Sequence, residues 1–112
     1  MNEKDIVGRF YFKQTSNYNL IGEYSNNLSE NNLSECANKV DEITEQFIGK
    51  YITTWFDNES ISLDLIISHK KKSNKSIFTL NWQNRNDEIY FYGEAFLVDE
   101  ILIGDYRNFE LK

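Results

Sequence analysis

The sequence predicts a mainly β fold: a small antiparallel up-and-down β-barrel of seven to eight strands, with one helical insertion near residues 33–46. Three observations predict it. Apolar and polar residues alternate through much of the chain, most cleanly where Ile61, Leu63, Leu65 and Ile67 alternate with Ser62, Asp64, Ile66 and Ser68. Short polar runs separate these stretches, so consecutive strands meet through tight turns. All five glycines lie in or beside strand-like stretches, each followed by a charged residue. Closure of the sheet removes its exposed edges and gives sharply coiled strands a place.

The elements follow in order. Asp5–Lys13 places Phe10 and Phe12 on one face and Arg9, Tyr11 and Lys13 on the other, which predicts a half-buried strand. After a polar turn at Gln14–Asn17, Tyr18–Tyr24 predicts a second strand, with Tyr18, Leu20, Gly22 and Tyr24 on one side. Ser25–Asn32 has turn chemistry throughout. The period then changes. Leu33, Ala37, Val40 and Phe47 fit helical spacing, and Asn32 with Glu35 three residues on matches a capping box. A helix over Leu33–Gln46 ending at Gly49 is expected, with a strand over Val40–Phe47 as the alternative.

From Lys50 the signal is continuously β. Lys50–Phe56 is rich in β-branched and aromatic residues, and Asp57–Ser60 reads as a turn. Ile61–Ser68 is followed by a basic loop, His69–Lys75. Ile77–Gln83 puts Phe78, Leu80 and Trp82 on one face, and Asn84–Asp87 turns the chain. Ile89–Arg107 is a hairpin turning at Val98–Glu100, and Phe109–Lys112 is expected to extend its second strand.

The length of 112 residues suits one domain, 1–112, with room for a core. The formal charge of −6 lacks the basic face that a nucleic-acid binder needs, so no nucleic-acid partner is expected. No apolar run approaches the ~20 residues of a membrane helix, and the N-terminus is charged from Glu3, so neither a membrane partner nor a leader is expected. One cysteine makes no internal disulfide. Together these predict a cytoplasmic protein.

The glycine pattern is Gly8-Arg9, Gly22-Glu23, Gly49-Lys50, Gly93-Glu94 and Gly104-Asp105, and Phe10, Tyr24, Tyr51 and Tyr106 follow four of these pairs. Glycine weakens a strand, so its recurrence implies sharp coiling, with glycine and aromatic facing inward and the charge facing solvent. Here the chain resembles the calycin group. Gly49–Thr54, Phe78–Trp82 and Tyr92–Phe96 resemble avidin strands, as does Leu20–Tyr24. Gly8-Arg9-Phe10 and Arg107 are similar to the glycine–x–tryptophan and late arginine of lipocalins, with phenylalanine in place of tryptophan. The resemblance implies a calycin-like barrel with a ligand cavity, and in lipocalins that arginine packs across the first-strand aromatic. No set of biotin-binding polar residues accompanies it.

No catalytic or metal constellation is present, so no enzyme, cofactor or metal site is expected. His69 stands alone beside three lysines and reads as a surface histidine, and Cys36 reads as a small buried hydrophobe on the expected helix. The inward set is Phe10, Phe12, Tyr24, Tyr51, Trp55, Leu65, Phe78, Leu80, Trp82, Phe91 and Tyr106. A barrel of eight strands either fills with such side chains or holds one small ligand. The candidate ligand-binding residues are Tyr24, Tyr51, Trp55, Trp82 and Tyr106, whose hydroxyls and indoles orient a ligand or else need buried partners. The leading function is non-enzymatic binding of a small apolar or aromatic ligand in the barrel mouth, with Ser25–Phe47 as lid. The alternative is an acidic protein–protein interaction module: an inhibitor, immunity or phage counter-defence protein. Tyr90, Tyr92 and Phe96 on the outer face are the candidate surface for a protein partner or homodimer.

Overall fold

The structure is a computed structural model that describes residues 5–56 and 59–108. Eight strands follow one another around a closed barrel, every neighbouring pair antiparallel. They are β1 (Val7–Gln14), β2 (Leu20–Asn26), β3 (Leu33–Lys39), β4 (Gly49–Phe56), β5 (Ser60–Lys71), β6 (Asn74–Gln83), β7 (Ile89–Val98) and β8 (Ile101–Asn108). β8 returns to β1 with Phe10 opposite Gly104 and Phe12 opposite Leu102. The expected extension at 109–112 and positions 57 and 58 of the expected turn lie outside the described residues.

The stretch expected to be helical is β3 and a following loop, and no helix occurs among the described residues. An up-and-down meander closes antiparallel only with an even number of strands, so the eighth must come from between Ser25 and Gly49. β3 supplies it, pairing Ala37 with Leu20 on one side and with Thr53 on the other. The local signal misleads because two of the four inward positions, Leu33, Glu35, Ala37 and Lys39, are charged. That breaks the apolar alternation and leaves a helix-like spacing of the remaining apolar residues. Edge pairing overrides it. Cys36 is consequently exposed on the outer face of β3 rather than buried.

The turns are shorter than their polar composition implies. β5 and β6 run into the basic segment, so only Lys72 and Ser73 form the hairpin tip, with a bulge between His69 and Lys71. Asp99 and Glu100 both have positive φ, 49° and 69°, the conformation of a two-residue turn whose twist matches that of the flanking strands. Gly8 has a packing reason. A Cβ there would lie 2.6 Å from the Tyr106 ring, which is laid over the backbone of β1.

The two ends of the barrel differ. At one, the loop 40–48 folds across the opening and inserts Phe47, which is fully buried with its ring edge-on to Phe78. Phe47 takes positive φ, its N–H donates to Gln14 Oε1 at 3.0 Å, and its carbonyl accepts from the Tyr51 hydroxyl at 2.8 Å. Lys39, also turned inward, donates to the Ile48 carbonyl and lies over the Tyr51 ring. His69 is half-buried rather than on the surface, and its Nε2 meets Glu45 Oε2 at 2.5 Å, tying the loop to β5. Between this plug and mid-barrel, Phe12, Leu20, Leu65, Ile67, Leu80 and Leu102 fill the interior. No helix among the described residues is long and apolar enough to cross a membrane.

Candidate ligand-binding site

At the opposite end the barrel is not filled. A cavity of about 420 Å³ opens among the start of β1 and the ends of β2, β4, β6 and β8. That is within the range of ordinary small-molecule sites. Its walls are mostly aromatic: Phe10, Tyr24, Trp55, Trp82, Phe91 and Tyr106. The rings pack edge-on or tilted around the space. Tyr24 lies 6.3 Å from Trp55 and 6.2 Å from Tyr106, and Trp82 lies 5.9 Å from Tyr106 and 5.5 Å from Phe10. Such contacts favour particular relative orientations of the large side chains that wall the cavity. Asn26 donates to the Tyr106 hydroxyl at 3.0 Å and fixes that ring at the rim.

Of the five tyrosines and tryptophans singled out in the sequence, the structure brings Tyr24, Trp55, Trp82 and Tyr106 together around this cavity. Tyr51 is separated from them. It lies at the plugged end, where burial raises its hydroxyl well above the usual range against the opposing hydrogen bond from Gln14. Of the segment Ser25–Phe47, the loop 40–48 closes the other end and is no lid for the open mouth, whereas the turn between β2 and β3 stands at the mouth, where Asn26 lines the cavity.

The floor of the cavity carries Glu35, the residue that the capping-box spacing puts at the N-terminus of the expected helix. The side chain is 5% exposed. Its Oε2 accepts from the Thr53 hydroxyl on the neighbouring strand β4. It also accepts from Trp82 Nε1 on β6, at 3.0 Å across the lumen. Burial disfavours the charged carboxylate and outweighs these two donors, so the carboxyl is raised to about 7. A carboxyl raised to about 7 changes its protonation near neutrality. The signal that finds Glu35 is its place in the alternation Leu33, Glu35, Ala37, Lys39, once β3 is recognised as a strand.

On β7, Tyr90, which also borders the mouth of the cavity, and Phe96 of the outer wall are 49% and 61% exposed. Phe96 pairs with the exposed Ile103 of β8. Tyr92 is half-buried: its hydroxyl donates to Glu94 and the Arg107 guanidinium lies 5.3 Å over its ring. Arg107 therefore packs on the outer aromatic of β7 and not across the first-strand Phe10, the place that the lipocalin resemblance implies. No group of three or more metal-ligating side chains occurs among the described residues.

Comparison with protein-family models, with curated proteins and with solved structures finds no match to this chain.

Proposed function

We propose that the protein is a non-enzymatic binding protein that takes a small apolar or aromatic molecule into the open mouth of its barrel. The observation that carries this reading is the asymmetry of the interior. One half is plugged by Phe47 and filled with aliphatic and aromatic side chains, whereas the other is an aromatic-walled cavity of about 420 Å³. A protein that needed only stability gains nothing from leaving that half open, since filling it would bury further apolar surface at roughly 25 cal/mol per Å². The calycin resemblance of the sequence points the same way.

Both tryptophans of the chain line the cavity, so an entering ligand changes their emission. Titration with 2-phenylethanol, read by tryptophan fluorescence and by native mass spectrometry, is expected to give a saturable one-to-one complex. Ile61→Trp, which fills the mouth from a half-buried position, is expected to abolish it. An unchanged titration in Ile61→Trp places binding elsewhere and ends this reading.

A second reading, an acidic protein–protein interaction module, is favoured by the outer wall, where Phe96 and Ile103 form an apolar step between β7 and β8. Exposed aromatics of this kind anchor interfaces. Pull-down at low and high salt tests it, and failure to recover a stoichiometric partner or a second copy under both conditions counts against it.

A further inference from the structure

We infer that the cavity selects an apolar body bearing one protonated amine, whose N–H groups bond the second oxygen of Glu35 at the floor while the body lies among the aromatic walls. The inference rests on the reading of the cavity as a ligand site and names the ligand's chemistry.

Geometry carries it. The two protein donors, Thr53 and Trp82, both bind Glu35 Oε2. Oε1 receives no hydrogen bond among the described residues and is not sealed off by protein atoms. It is thus an acceptor left for something in the cavity. The lining holds no lysine, arginine or histidine among the described residues. Its titratable groups are Glu35, Glu59 at the rim, and the phenols Tyr24, Tyr90 and Tyr106. Ionised, Glu35 is a buried charge without a cation, which is a costly state that a ligand cation relieves. Aromatic walls, here Trp82, Tyr24, Tyr106 and Phe10, also favour a cation over an anion wherever a ring face is reached. A ligand carboxylate meets two acids and no compensating charge. A neutral alcohol can donate to Oε1 but leaves the charge uncompensated. Burial already holds the Glu35 carboxyl near 7, so an ammonium that binds at lower pH expels its proton.

The test compares three probes sharing one phenyl body: 2-phenylethylamine, 2-phenylethanol and 3-phenylpropionate. At pH 8 the amine is expected to bind at least about tenfold tighter than the alcohol, with the carboxylate weakest. Glu35→Gln, checked for folding by its melting curve, is expected to bring amine and alcohol within about threefold of each other. For the native protein at pH 6, calorimetry in two buffers of different ionisation enthalpy is expected to show proton release with the amine and none with the alcohol. That measurement decides the matter alone if the variant does not fold. Alcohol or carboxylate binding as tightly as the amine, or amine binding without proton release, overturns the inference and leaves the ligand site standing. Saturable binding by none of the three overturns the ligand-site reading and the inference with it.

Discussion

Trp82 and Glu35 join opposite walls of the barrel: the indole N–H on β6 donates to the carboxyl oxygen on β3 at 3.0 Å, across the lumen and between strands that are not neighbours. The link makes the floor of the open half, and it fixes a titratable group where water is largely excluded.

Stability is expected to fall as pH rises through this group. The Glu35 carboxyl is raised from its ordinary 4.5 to about 7 in the fold, so the folded state holds the proton more tightly than the unfolded one. The favourable contribution is complete below about pH 4.5 and is lost as pH rises to about 7. At ~1.4 kcal/mol per pH unit it amounts to roughly 3 kcal/mol. Glu35→Gln keeps an oxygen for Trp82 and Thr53 without the charge. It is expected to be near neutral at pH 4.5 and stabilising by up to about 3 kcal/mol at pH 8. Urea melts of both proteins at the two pH values measure this, and equal differences at both contradict it.

Removing the other partner has the opposite sign. Trp82→Phe deletes the indole donor, so the ionised carboxylate loses a hydrogen bond of about 1.5–3 kcal/mol at pH 8, and less is lost at pH 5 where the group is protonated. Carbon-detected NMR titration of the Glu35 carboxyl is expected to show its midpoint moving further upward. A downward or unchanged midpoint removes Trp82 as a donor.

The plugged end is expected to govern stability and not binding. Phe47→Ala empties a fully buried position and is expected to cost ~3–5 kcal/mol, lowering Tm by well over about 10 °C. Ligand affinity below the lowered Tm is expected to stay within about twofold, because Phe47 does not line the cavity. A parallel loss of affinity means that the two halves are coupled.

The loop that carries Phe47 is tied to β5 by His69 and Glu45, and the hydrogen bond from His69 holds the Glu45 carboxyl below its usual range. A lowered carboxyl contributes stability above its unfolded pKa that is lost on acidification. Hydrogen exchange at the Phe47 and Ile48 amides is therefore expected to speed up in Glu45→Gln at pH 7, and less so at pH 3. Unaltered exchange at both shows that Gln14 and Tyr51 hold the loop without it.

Legibility in the sequence followed the chemistry of the inward positions. Where these were uniformly apolar, as at Leu63, Leu65 and Ile67 or at Phe78, Leu80 and Trp82, alternation located the strand directly. The glycine that precedes an inward aromatic, as at Gly8 and Phe10, indicated coiling for a reason visible in the packing of Tyr106 over Gly8. β3 was hidden because Glu35 and Lys39 face inward and interrupt the apolar alternation: Glu35 is met by Thr53 and Trp82, and Lys39 by Asp41, the Ile48 carbonyl and the Tyr51 ring. The same concealment hid the site, since a buried acid has no local signature. The parity of an antiparallel closure was the available clue to both.

The most direct measurement is the nitrogen–proton spectrum of the two indoles, with the Trp82 resonance assigned by its loss in Trp82→Phe. On titration with 2-phenylethylamine at pH 8 the Trp82 Nε1–H resonance is predicted to move saturably, with Trp55 following along the same binding curve. An indole pair that stays in place while the probe binds, or while none binds at millimolar concentration, contradicts a ligand resting on the Glu35–Trp82 floor.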